Sequence, residues 1–278
     1  MQVAKIQYND SNAPAKFTKS LKETGFGVIS DHPIHFELVD GVYKEWETFF
    51  SSNSKHDYLF DPRKQDGYFP TGTENAKGYQ AKDHKEFYHF YPWGRLPNAL
   101  TGATLELYNN LVTMTSTFLD WIEKNTPEEI RSQFREPLKD MINGSKTNLL
   151  RIIHYPPFTG NEDDRSVRAA AHEDINLITL LVAGTSPGLE AKDKEGKWHK
   201  ITTDPGTIIV NIGDMLKEAS GGYYPSTTHR VVNPEKQSNN SRYSIPLFLH
   251  PRNEVVLSEK YTAGEYLAER LQEIGLKN

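Results

Sequence analysis

The chain has 278 residues, of which 36% are hydrophobic and 25% charged, with a formal net charge of −5 at pH 7. That length supports one large domain or two modest ones with a substantial core, and the acidic balance gives no general electrostatic case for nucleic acid. Cysteine is absent, which excludes disulfides, thiolate catalysis and thiolate metal sites.

Met1 to Asp10 has no apolar leader-like core, and no stretch approaches membrane-spanning length. The expectation is a cytoplasmic protein that engages neither membrane nor nucleic acid; oligomeric state leaves no signal. Ala13 to Thr24 reads as a helix stopped at Gly25, a C-terminal cap. Phe36 to Phe50 places Val39, Val42, Tyr43, Trp46 and Phe50 near helical spacing, with Glu37 favouring the helix N-terminus. Leu105 to Ile122 gives a third helix with Leu107, Leu111, Met114, Phe118 and Trp121 as its inward stripe. Thr126-Pro127-Glu128-Glu129 reads as a capping box opening a fourth helix that ends near Asn143-Gly144.

Beyond that point come short apolar segments punctuated by Gly, Pro and Asn, the pattern of a sandwich or jelly roll. Ala191 to Gly196 reads as a hairpin turn and Pro234 to Asn240 as an exposed loop. Thr262-Ala263-Gly264-Glu265 is a second capping box, opening a last helix to about Ile274. The fold class expected is mixed and mainly β, a jelly-roll (double-stranded β-helix) core with flanking helices. Residues 1–145 form its helix-rich part, 146–258 the catalytic core and 259–278 the closing helix, functionally one domain.

The pattern His-x-Asp/Glu occurs three times, at His35-Phe36-Glu37, His84-Lys85-Glu86 and His172-Glu173-Asp174. Composition alone produces it about once, so the spacing decides nothing and context must. His35 and Glu37 open a helix. His84 and Glu86 lie between Tyr79 and Tyr91 in a polar segment without a clear strand pattern. Lys82 to His89 reads as a solvated edge or as a segment covering the metal. His172 and Asp174 lead into Ile175 to Val182, a β-branched apolar run bounded by Gly184. Positions two apart on a strand share a face, so both side chains are expected to reach one metal. His229, followed by Arg230-Val231-Val232, brings a second imidazole from another strand. Two histidines and one carboxylate are a ligand set for non-haem Fe(II) that leaves positions open. Arg242 and Ser244 share a face on the next strand, where a guanidinium and a hydroxyl suit a small carboxylate.

With His172-x-Asp174, His229 and Arg242-x-Ser244 in that order, the chain resembles the isopenicillin N synthase-like family of Fe(II)- and 2-oxoglutarate-dependent oxygenases. The resemblance extends over nearly the whole length. It includes Thr24 to His32, Leu150 to Pro157, Gly188-Leu189-Glu190, Gly196-Lys197-Trp198 and Val210-Asn211-Ile212-Gly213-Asp214. It implies that His172, Asp174 and His229 are catalytic ligands of iron. Arg242 and Ser244 would bind the far carboxylate of 2-oxoglutarate, with Tyr155 near the co-substrate and O₂ as the oxidant. Many plant members carry Asn two residues before that tyrosine, where this chain has Ile153. Halogenating relatives lack the carboxylate, so Asp174 argues against halogenation and leaves hydroxylation, desaturation or cyclisation of a small organic metabolite, with release of succinate and CO₂. Two alternatives stay open: an Fe(II) oxidase of the same fold without 2-oxoglutarate, and a catalytically silent metal-dependent binding or sensing protein. Tyr68, Tyr79, Tyr88, Tyr223 and Tyr224 are candidates for the substrate pocket.

Overall fold

Apolar residues spaced by two along the strands, and by three or four along the helices, divide this molecule into layers. The computed structural model describes residues 1–73, 83–163 and 166–273. The N-terminal region contributes β1 (Lys5–Gln7), α1 (Ala13–Thr24), β2 (Phe26–Ser30), α2 (Phe36–Ser51), β3 (Gly67–Phe69), β4 (Glu86–Phe90) and α3 (Ala103–Lys124). Two short helices follow, α4 (Glu128–Arg131) and α5 (Leu138–Met141), and then β5 (Leu149–Tyr155) and β6 (Ala169–His172). The remaining elements are β7 (Ile178–Val182), β8 (Leu189–Lys192), β9 (Trp198–Lys200), β10 (Ile208–Ile212), α6 (Asp214–Ala219), β11 (His229–Val231), β12 (Arg242–Leu249) and α7 (Ala263–Glu273).

An eight-stranded sheet runs in the order β1-β2-β10-β7-β12-β5-β4-β3, and a four-stranded sheet runs β6-β11-β8-β9. This is the mainly β jelly-roll core with flanking helices that the short strands foretold. The N-terminal region is not purely helical, since β1 to β4 extend the large sheet at both edges.

Each strand of the large sheet shows two faces. The outer face carries Leu150, Ile152, Leu180, Val182, Ile208, Val210, Ile245 and Leu247 into the main apolar core, together with Trp46 of α2 and Leu107, Leu111 and Phe118 of α3. The inner face carries Ile153, Tyr155, Thr179, Leu181, Ile209, Asn211, Arg242 and Ser244, all buried. Two smaller apolar clusters sit inside the roll. One joins Phe26, Val28, Leu181, Leu189 and Ile209, and the other joins Phe69, Phe87, Ile153, Tyr155, Ala169 and Val231.

Local signals worked where they were self-contained. Gly25 ends α1 at φ 73°, and an added Cβ there would lie 2.3 Å from Thr227 Oγ1, so this cap admits glycine alone. The second capping box forms: Thr262 N–H donates to Glu265 Oε2 at 2.8 Å, and Glu265 N–H donates to Thr262 Oγ1 at 3.3 Å. The hairpin turn after Lys192 forms too, with Lys197 N–H donating to Asp193 Oδ1 at 2.8 Å. Among the described residues no helix is long and apolar enough to cross a membrane.

Three expectations fail. The helix after Thr126 is not one helix: α4 and α5 are separate single turns, each preceded by a proline. Pro137 disfavours helical geometry at Glu136 and offers no donor. Thr126 does not cap either, because its hydroxyl lies 2.6 Å from the Ile122 carbonyl and 2.7 Å from the Tyr224 hydroxyl. The segment around His84 and Glu86 is no solvated edge. It enters β4, every residue of which is buried between β3 and β5.

Candidate active site

The third correction concerns the metal motif. His172 and Asp174 do not lie on one strand. His172 ends β6 in the small sheet, Asp174 sits in the crossing segment, and β7 begins at Ile178 in the large sheet. The second imidazole then arrives by direct strand pairing, with His229 of β11 opposite His172 in register. Cross-strand opposition sets their ring centroids 4.4 Å apart.

The ligand atoms of His172, Asp174 and His229 all fall within 4.8 Å of one another. Asp174 Oδ1 stands 3.8 Å from His172 Nε2 and 3.7 Å from His229 Nε2. Both imidazoles are oriented by carbonyls, His172 Nδ1 at 2.8 Å from Ala170 O and His229 Nδ1 at 3.1 Å from Thr227 O. A carbonyl can only accept, so each Nδ1 carries the proton and each Nε2 presents its lone pair inward. The other carboxylate oxygen is spoken for: Thr179 Oγ1 donates to Asp174 Oδ2 at 2.5 Å and Asn211 Nδ2 at 2.8 Å. Asn176 Nδ2 donates to Thr179 Oγ1 at 2.9 Å, which orients that hydroxyl. Gly213 permits this packing, because a Cβ there would lie 2.1 Å from the Asn176 carbonyl oxygen.

Electrostatics suit metal ligation. Burial, then the neighbouring His229, depresses His172 to a pKa of about 4, so its ring is neutral at physiological pH. Burial opposes ionisation of Asp174, but the two imidazoles and the hydrogen bonds from Asn211 and Thr179 outweigh it and hold the carboxyl below its ordinary range. The His172 side chain is 39% exposed, against 5% for Asp174 and 10% for His229, so the triad opens on the His172 side.

Arg242 and Ser244 lie on β12 on one face, as expected, opposite Tyr155 and Ile153 of β5. The guanidinium of Arg242 sits over the Tyr155 ring at 5.1 Å, and its Nε donates to Ser186 O at 3.0 Å. Its Nη1 is buried without a hydrogen-bond partner among the described residues. A donor set aimed at one carboxylate would leave this signature in the absence of that carboxylate.

The proposed pocket tyrosines fare differently. Tyr68, Tyr88 and Tyr224 are buried in the main core, where Tyr88 donates to Arg95 O at 2.8 Å and Tyr68 donates to Glu86. Tyr223 is partly buried beside Lys22 and Tyr224. Tyr79 lies outside the described residues. Thr179, Asn211 and Asn176 were missed as supports of Asp174. For two of them the signal was a single polar residue inside an otherwise apolar strand, Thr179 in β7 and Asn211 in β10; Asn176 lies outside the strands.

The comparisons agree with this geometry. The 2OG-Fe(II) oxygenase superfamily matches residues 146–251, and the non-haem dioxygenase in morphine synthesis N-terminal family matches residues 5–111. A Shewanella oneidensis protein solved as a candidate oxygenase is 51% identical with a TM-score of 0.90, the match covering 99% of each chain. Gibberellin 2-beta-dioxygenase 3 of Arabidopsis thaliana is 27% identical over 92% of this chain and 76% of its own length. A full-length Neurospora crassa protein, solved in complex with alpha-KG, shares the fold at 23% identity and a TM-score of 0.79, over 97% of this chain and 95% of that one. The chain therefore belongs to the isopenicillin N synthase-like 2OG-Fe(II) oxygenases and is a non-haem Fe(II)- and 2-oxoglutarate-dependent dioxygenase.

Proposed function

We propose that His172, Asp174 and His229 hold the iron and that Arg242, with Ser244 and Tyr155, holds the distal carboxylate of 2-oxoglutarate. The observation that carries this reading is the pairing of two features: a triad of two imidazoles and a carboxylate whose ligand atoms lie within 4.8 Å of one another, and a buried arginine whose Nη1 has no hydrogen-bond partner among the described residues. When bound, iron and 2-oxoglutarate supply the oxidising chemistry, with O₂ as oxidant and succinate and CO₂ as co-products.

The residues of the chain position and shelter that chemistry. Asp174 and the two imidazoles would hold the metal, while Thr179 and Asn211 keep the carboxylate from rotating. The interior of the roll excludes water around the reacting groups. The substrate is a small organic molecule, a reading supported by a triad that lies between two sheets and, among the described residues, opens on the His172 side. Its oxidation is a hydroxylation, desaturation or cyclisation; Asp174 fills the position that a halide would need.

The test is Fe(II) binding under nitrogen, measured by equilibrium dialysis. The parent should bind one ion per chain, and the His172→Ala and His229→Ala proteins should not. Stoichiometric binding by folded His229→Ala protein would remove His229 from the ligand set.

A further inference from the structure

The inner surface holds a second buried arginine that the assignment above leaves without a role. Arg168 stands one residue before β6 and is 2% exposed; Arg242 is 1% exposed. The Arg168 backbone N–H donates to Asn233 Oδ1 at 3.0 Å, and its Nη2 donates to the Asn240 carbonyl at 2.5 Å. Asn240 is two residues before Arg242, so this bond brings the guanidinium of Arg168 to the root of β12. Among the described residues Arg168 Nε, like Arg242 Nη1, is buried without a hydrogen-bond partner. Neither guanidinium meets a carboxylate among the described residues. Tyr155 lies by both groups: its ring is 5.1 Å from the Arg242 guanidinium, and it favours the charged form of Arg168, whose basicity is lowered by burial and then by Arg242.

Two buried cations that repel each other across one tyrosine, each with an unused donor, make a place for an anion. A carboxylate has two oxygens and about four lone-pair sites, enough to receive a donor from each arginine. The geometry points to a two-arginine pocket in which Arg168 and Arg242 both grip the distal carboxylate of 2-oxoglutarate. This inference rests on the reading that Arg242 serves the co-substrate. It adds that Arg168 makes the subsite selective for a 2-oxo acid with a second carboxylate.

The experiment titrates the Fe(II)-loaded protein under nitrogen with 2-oxoglutarate and, separately, with 2-oxopentanoate, which keeps the chain and lacks the distal carboxylate. Parent, Arg168→Gln, Arg168→Lys and Arg242→Gln proteins are compared, with thermal unfolding as the check on folding. Arg168→Gln should weaken 2-oxoglutarate roughly tenfold to a hundredfold, as expected for one hydrogen bond to a charged group. It should leave 2-oxopentanoate within about twofold, and Arg168→Lys should fall between parent and Arg168→Gln. If Arg168→Gln fails to fold, Arg168→Lys carries the test, and full retention of discrimination by that protein overturns the inference. Equal loss for both ligands, or loss for neither, also overturns it, including the case in which only the primary substrate binds more weakly. Should Arg242→Gln discriminate against 2-oxoglutarate while Arg168→Gln does not, the second arginine alone is rejected. Should Arg242→Gln bind both ligands like the parent, the assignment of the co-substrate subsite itself fails.

Discussion

The two faces of the large sheet bury polar groups in opposite ways. The outer face, packed under the helices, holds Glu86, and its carboxylate is fully served: Tyr68 donates to it, Lys55 Nζ lies 2.9 Å away and His154 Nδ1 lies 2.7 Å away. Burial opposes ionisation of Glu86, yet these hydrogen bonds hold its carboxyl below the usual range. The inner face holds Arg242, with Arg168 facing it from the root of β6 in the small sheet, and both keep a donor with no hydrogen-bond partner among the described residues. An unsatisfied buried donor costs stability. The difference teaches that Glu86 is satisfied by the protein itself, whereas on the reading proposed above the inner arginines are satisfied by a ligand.

The largest expected effect belongs to the inner face. Asp174→Ala should reduce substrate-dependent succinate release to background while leaving the fold intact, since it removes a proposed metal ligand and no apolar side chain of the core. Product mass spectrometry of the parent in excess chloride should show no halogenated species; chlorinated product from the parent would contradict the role given to Asp174.

Next comes the outer face. Trp46 is 0% exposed and its indole N–H donates to Thr104 Oγ1 at 2.9 Å. Trp46→Ala should therefore cost about 3–5 kcal/mol in denaturant unfolding, with Fe(II) affinity of the folded fraction unchanged. A matching collapse of Fe(II) affinity in folded protein would blur the division between the faces.

Acid offers an intermediate effect. Burial lowers His250 to a pKa of about 4 from its ordinary 6.5. Between those values the unfolded chain takes up a proton that the folded protein refuses. The neutral buried ring therefore favours folding fully above pH 6.5, and that contribution is lost as pH falls toward 4. The slope is about 1.4 kcal/mol per pH unit from this group, on the order of 3 kcal/mol in all. Folded His250→Asn protein should show a flatter dependence of unfolding free energy on pH across this window; an unchanged slope would show that His250 does not titrate this way.

The smallest of these effects tests the supports of the triad. Asn211→Ala removes one of two hydrogen bonds to Asp174 Oδ2 and should weaken Fe(II) binding about 10- to 100-fold, with a small change in stability. An effect as large as that of losing a ligand would place Asn211 on the metal itself.

How much of this was legible in the sequence follows from how local each cause is. Thr262 and Glu265 meet three residues apart, Gly25 needs only its own φ, and Arg242 and Ser244 need only the period of a strand. These could be read directly. β4 could not, because Glu86-Phe87-Tyr88-His89-Phe90 places a carboxylate and an imidazole in a buried strand, and their partners come from Lys55, Gln65 and His154. His172, Asp174 and His229 do come together, although not through the single strand expected of them. One strand was inferred where the chain crosses between sheets at Asp174, a crossing made possible by the close approach of Asn176 to Gly213. Arg168 was invisible for a related reason: a lone arginine before three alanines has no periodic signal, and its meaning comes from Asn240 and Arg242, far along the chain.

The sharpest test of the contrast between the two faces is Arg242→Met, studied twice. Removing an unpaired buried charge in favour of an apolar side chain of similar length is often neutral or stabilising, so the ligand-free protein should unfold at the same denaturant concentration as the parent or higher. The Fe(II)-loaded protein under nitrogen should then bind 2-oxoglutarate several hundredfold or more weakly, corresponding to about 3–5 kcal/mol. A strongly destabilised apoprotein that still binds 2-oxoglutarate like the parent would make Arg242 a structural residue and contradict the account.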